Sequence, residues 1–144
     1  MVQSRILARV NRDEFLGREA ELRQIVQQAS PLTDARLLAL PAAPDAGASE
    51  LLRQSYDHLF GRRGDPFPFH FAFRRGEATT LDVGRRFFQT FLQQYVAYRR
   101  VDPSLCQVPL TFHDLLELAL PSDYELVDSV IEAFQREQVS NENL

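Results

Sequence analysis

The stretch from residue 35 to residue 60 most constrains what this chain can fold into. It begins with an apolar run, Ala35-Arg36-Leu37-Leu38-Ala39-Leu40. A loop of small residues follows, Pro41-Ala42-Ala43-Pro44-Asp45-Ala46-Gly47. Two prolines and a glycine there bar both helix and strand over most of the loop. Residues 37–40 are apolar at every position, which fits a strand buried on both faces, as in a parallel sheet. Ser49 suits a helix N-cap, and Leu52, Tyr56, Leu59 and Phe60 line one side of the helix it would open. Gly61-Arg62-Arg63-Gly64-Asp65-Pro66 stops that helix.

On either side the pattern alternates between helix and strand. Arg5-Ile6-Leu7-Ala8-Arg9-Val10 reads as a short extended lead-in. Leu22, Ile25, Val26 and Ala29 follow helical spacing, which predicts a helix from about residue 18 to 28, broken by Ser30-Pro31-Leu32-Thr33-Asp34. In Phe67-Pro68-Phe69-His70-Phe71-Ala72-Phe73 the four phenylalanines alternate, so four rings would face one side of a second strand. Strand, loop, helix and strand make a βαβ unit with a right-handed crossover.

Arg74-Arg75-Gly76-Glu77-Ala78 reads as a turn. Thr80 is placed to cap a long helix over 81–99, with Val83, Phe87, Phe88, Phe91, Leu92, Tyr95 and Val96 on its apolar side. Thr111 or Asp114 opens a short helix running to Leu120. A last helix near 124–137 turns Leu126, Val127, Val130, Ile131 and Phe134 inward.

Three features in order make a family resemblance. Phe15-Leu16-Gly17-Arg18-Glu19-Ala20-Glu21-Leu22 resembles the F-[LV]-G-R-E-x-E-L box of P-loop ATPases of the AAA+ and signal-transduction type. The strand and loop then resemble the phosphate-binding pattern G-x-x-x-x-G-K-[ST]. Ser49-Glu50-Leu51-Leu52-Arg53-Gln54 resembles that family's helix start. The resemblance implies an α/β fold: a three-layer P-loop NTPase-like unit with a small parallel sheet over residues 1–100. Residues 101–144 would be a helical extension of the same domain. It places Gly17 and Arg18 near a base pocket, makes Gly47 the close-approach glycine and makes Ser49 the hydroxyl on the Mg²⁺ side. Ala48 stands where the family has its lysine.

The departures from the pattern decide the expected function. Ala48 carries no charge, and no lysine exists anywhere in the chain. Ala42 replaces the first glycine, Pro44 removes an amide donor, and Asp45 adds repulsion. Loss of one charge-assisted contact costs about 1.5–3 kcal/mol. No later strand ends in the acidic residue that would order Mg²⁺ and water, so Walker A is degenerate and Walker B is missing. Either the chain is part of a longer ATPase-like protein, or the fold has been cut down. The expected function is a pseudo-ATPase acting as a regulatory or scaffolding interaction domain, with no cofactor. The alternative is a weakened but working nucleotide-binding domain taking ATP and Mg²⁺.

A third reading comes from charge. All 16 basic residues are arginine, with 15 of them in residues 1–101 against 11 acidic residues. Residues 102–144 hold one arginine against nine acidic residues, for a net −8. The pairs Arg62-Arg63, Arg74-Arg75, Arg85-Arg86 and Arg99-Arg100 suggest an arginine-dependent nucleic-acid-binding module. Open sheet edges would favour a protein partner or self-association. Gly47-Ala48-Ser49-Glu50-Leu51 begins like a nucleophile elbow, but Leu51 takes the place of the last glycine. His58, His70 and His113 lack metal-ligand spacing, and the single Cys106 makes neither an internal disulfide nor a metal site. No apolar run approaches the ~18 residues of a membrane span, and Met1-Val2-Gln3-Ser4-Arg5 lacks the apolar centre of a secretory signal, so a cytoplasmic location is expected.

Overall fold

Five α-helices carry the described structure: α1 (Glu19–Gln28), α2 (Ala48–Arg62), α3 (Thr80–Arg100), α4 (Phe112–Leu118) and α5 (Tyr124–Glu142). Short 3-10 turns lie at Arg12–Glu14 and Pro103–Cys106. The computed structural model describes residues 5–15, 17–29, 37–43, 47–64, 67–77 and 79–142, with side chains as far as 138. The chain divides into two compact units, Met1–His70 and Phe71–Leu144.

In the first unit α1 packs on α2. Leu22 is the buried residue of α1, and Leu51, Tyr56 and Phe60 are the buried apolar residues of α2. Leu51, rather than the expected Leu52, turns inward. The rest of the buried side of α2 is polar: Gln54, Ser55 and Asp57. The Asp57 carboxylate accepts hydrogen bonds from the backbone N–H groups of Ile6, Leu7 and Ala8 at 2.9, 2.8 and 3.2 Å. The Glu50 carboxylate accepts from those of Arg9 and Val10 at 3.0 and 3.1 Å. Gln54 donates to the Val10 carbonyl at 2.7 Å and to Glu50 Oε1 at 3.0 Å. Glu50, Gln54 and Asp57 are four and three residues apart, so they share one side of α2. These side chains clasp the backbone donors of five consecutive residues in a segment that is neither helix nor strand.

The second unit is built around α3. Leu92 and Val96 of α3, Leu115 of α4, Ala119, and Val127 and Ile131 of α5 form one buried apolar cluster. The helix starts are defined by side chains. Thr79, not Thr80, caps α3 by accepting from the Asp82 N–H at 3.1 Å. Thr111 caps α4 in a reciprocal box with Asp114, which settles the choice between them. The bonds from Thr111, backbone first, hold the Asp114 carboxyl below its ordinary range. Asp123, just before α5, is buried and accepts from Arg99 Nε at 2.7 Å and from the Tyr95 hydroxyl at 3.1 Å. Gln93 ties down the following loop by donating to the carbonyls of Leu105 and Val108, each at 2.7 Å.

This architecture corrects the expected fold. No strand occurs among the described residues, so the α/β unit with a parallel sheet is not formed, and a P-loop NTPase fold of the AAA type is not supported. Leu37 is 97% exposed, which excludes residues 37–40 as an inner strand. The alternating phenylalanines are divided by the boundary between units at His70 and Phe71. Phe71 packs edge-on against Phe87 of α3 at 5.1 Å and against Phe73 at 5.4 Å, and the Arg86 guanidinium lies 4.2 Å above its ring. Phe73 itself is 81% exposed. These rings find a helix and a cation where the alternation predicted a sheet face. Leu16, the break at 30–34, Ala35, Arg36, Pro44, Asp45, Ala46, Asp65-Pro66 and Ala78 lie outside the described residues.

Candidate functional site

The residues singled out by the resemblance all lie in the first unit. Gly17 and Gly47 have φ of +79° and +80°, a left-handed conformation that glycine adopts without a Cβ penalty. Gly47 holds the cap position of α2, and its carbonyl accepts from the Leu51 N–H at 2.9 Å. Ala48 and Ser49 are the first two residues of α2, so Ser49 is not the cap; it is exposed. Arg18 stands at the start of α1 and pairs with Glu21 at 3.3 Å. The box and the loop do meet at one point. A Cβ built on Gly47 would lie 4.0 Å from the Phe15 ring, so the surface facing the glycine there is aromatic and uncharged.

The paired arginines are partly engaged within their own units. Arg86 pairs with Glu77 and donates to the Ala72 carbonyl at 2.6 Å. The Arg86 bond holds the Glu77 carboxyl below its ordinary range. Arg99 binds Asp123, which raises the arginine pKa further, and Arg100 donates to the Leu118 carbonyl. Burial, with the Asp123 hydrogen bond second, pushes the Tyr95 phenol up. Arg63 lies 5.8 Å over the Phe60 ring. No group of three or more His, Cys, Asp or Glu side chains is placed to hold a metal ion among the described residues. No helix there is long and apolar enough to cross a membrane.

An open apolar feature lies in the second unit. A cleft of about 620 Å³ runs between the first half of α3 and the middle of α5. Its α3 wall is Thr80, Leu81, Gly84 and Phe88, and its α5 wall is Ser129, Val130, Ala133, Phe134 and Glu137. Phe88 and Phe134 meet across the floor with ring centroids 6.0 Å apart, and Phe112 of α4 packs against Phe134 at 5.8 Å. Each wall spans nine residues, or about 12 Å from end to end along the helix. The seven-residue α4 packs with Leu92 and Val96 as the third helix of the bundle, and no further helix among the described residues of this unit lies beside Thr80 to Phe88 in the cleft. Sequence reasoning placed Phe88, Val130 and Phe134 inward but not the gap beside them. Gly84 and Ala133, small residues on an otherwise apolar side, are the signal that could have found it. No family model, no curated protein and no solved structure matches this chain.

Proposed function

We propose that the chain is a helical interaction module, regulatory or scaffolding in role, that takes an apolar helix of a partner protein into the cleft between α3 and α5. The observation that carries this reading is the apolar cleft between α3 and α5, which no helix among the described residues of this unit fills. Two helix faces of matched length enclose an apolar floor there, the arrangement by which grooves receive amphipathic helices. The charge of the surrounding chain specifies the partner further. Glu125, Asp128, Glu132 and Glu137 stand on α5 against the single Arg136, and residues 102–144 are strongly acidic as a whole. A partner helix with lysine or arginine flanking its apolar stripe complements that surface.

The test uses a labelled 14-residue leucine–lysine amphipathic peptide and, separately, laurate. The peptide is expected to bind saturably and to gain helicity. Ala133→Arg, which adds bulk and positive charge at an exposed position on the wall, should weaken it about tenfold, or about 1.4 kcal/mol. Equal peptide binding by Ala133→Arg, or binding of laurate with none of the peptide, defeats the proposal.

A further inference from the structure

A second cavity, in the first unit, has a different chemistry. It measures about 250 Å³ and is lined by Arg12, Glu19, Leu22, Arg23, Val26 and His58. Leu22 and Val26 give it an apolar wall on α1, and Arg12, Arg23 and His58 bring nitrogen donors from three separate elements. We propose that this cavity is a binding site for a small phosphate-bearing ligand, either inorganic phosphate or a phosphomonoester with a compact apolar body.

Two observations point to an anion. The cations there are not neutralised within the described structure: Arg23 makes no hydrogen bond or ion pair among the described residues, and Glu19, the acidic group of the wall, pairs with neither arginine. The Arg12 guanidinium donates at 3.0 Å to His58 Nδ1, an uncharged acceptor. Because arginine can only donate, that bond requires a neutral imidazole with its proton on Nε2. Two guanidinium groups line one small cavity, and guanidinium is the side-chain group best suited to phosphate. The size sets the ligand class, because 250 Å³ falls below the roughly 300–1,000 Å³ of pockets for drug-sized molecules.

The site carries its own reporter. His58 is faced by Arg12 from the turn before α1, by Arg62 on its own helix, and by Glu19 and Arg23 from α1. Burial, then Arg12 and Arg62, hold its pKa below the ordinary histidine value. A bound phosphate offsets the Arg12 charge and moves that pKa upward.

The experiment follows the His58 ring protons by NMR in the full chain at low salt, assigned with His58→Asn. Inorganic phosphate, phenyl phosphate and phenol are titrated separately. The expected result is a saturable shift with one or both phosphates and an upward move of the His58 pKa. Arg23→Gln, at an exposed position, should weaken binding about tenfold. Tighter binding of phenyl phosphate than of phosphate assigns the site to an ester; equal binding assigns it to the free anion. No saturable shift up to about 10 mM, where binding free energy falls below roughly 3 kcal/mol, overturns the proposal. So does binding undiminished in Arg23→Gln, or phenol binding as well as phenyl phosphate.

Discussion

In the first unit the buried side of α2 includes Gln54, Ser55 and Asp57, whereas the second unit gathers Leu92, Val96, Leu115, Ala119, Val127 and Ile131 into one apolar cluster. The two interiors respond differently to change. Apolar burial is non-directional and roughly proportional to area, so a side chain can be trimmed and its neighbours relax in part. The clasp of Asp57 on Ile6, Leu7 and Ala8 is directional, and loss of its acceptor leaves donors without partners. The comparison teaches that two regions of similar size in one chain can be held by unlike forces.

The largest expected effect is in the apolar unit. Leu92 is 0% exposed, and Leu92→Ala should cost about 3–4 kcal/mol, read as the fall in urea midpoint of the α3 signals. The counterpart in the first unit is Asp57→Ala, expected to cost about 2–3 kcal/mol and to remove exchange protection at the amides of Ile6, Leu7 and Ala8. Asp57→Asn keeps one acceptor oxygen and should recover part of the loss. A cost below about 0.5 kcal/mol for Asp57→Ala would show that the clasp is an accessory to packing, and the contrast between the units would disappear.

That contrast also marks what the sequence could reveal. All five helices were legible, because apolar residues three and four apart, such as Leu22, Ile25 and Val26 in α1 or Leu92, Tyr95 and Val96 in α3, constrain the backbone directly. The two expected strands failed because a short apolar run such as 37–40 fits several conformations, and because the period-two rings at 67–73 say nothing of a partner strand. The clasp was not legible. Asp57 meets its backbone partners across about fifty residues, and no spacing rule joins a carboxylate to an N–H that any residue carries. The available signal was polar residues at Glu50, Gln54 and Asp57 on one side of a helix, where core residues would be expected. The cleft was half legible: Phe88 and Phe134 were expected on apolar helix faces, but the gap they border is a property of packing.

A smaller effect separates the helix ends of the two units. α2 ends on Arg63 at φ 55° and α3 on Val101 at φ 56°, both in the left-handed region that glycine favours. Val101 carries the greater cost because its branched Cβ crowds the backbone there. Val101→Gly should stabilise the second unit by about 1 kcal/mol, after allowance for the added freedom of the unfolded chain. Arg63→Gly should gain less, since its side chain is unbranched and its contact over Phe60 is lost. Thermal melts of the two variants give the order, and a larger gain from Arg63→Gly would contradict the branching argument.

The finest distinction is in acid. In the first unit burial lowers the pKa of His58, with Arg12 and Arg62 adding to it, and burial with Arg53 lowers that of His70. The unfolded chain then takes up protons near the ordinary histidine value of about 6.5, while the folded unit resists until lower pH. Between those points the unfolded state binds more protons, so stability rises with pH up to about 6.5 and falls as the medium is acidified through the lowered values. In the second unit the lowered groups are carboxyls. Glu77 is held down by Arg86 and Asp114 by Thr111, so their contribution is complete above about pH 4.3 and is lost only below it. Acidification should therefore loosen α2 before α3, seen as earlier loss of exchange protection in 48–62 than in 80–100 after correction for the intrinsic rate. Replacing His58 and His70 together with glutamine should remove the component that sets in as pH falls below about 6.5 and leave the later, carboxyl one in place. Simultaneous loss in both helices, in the parent and in the double variant, would mean that the histidines do not set the acid response of the first unit.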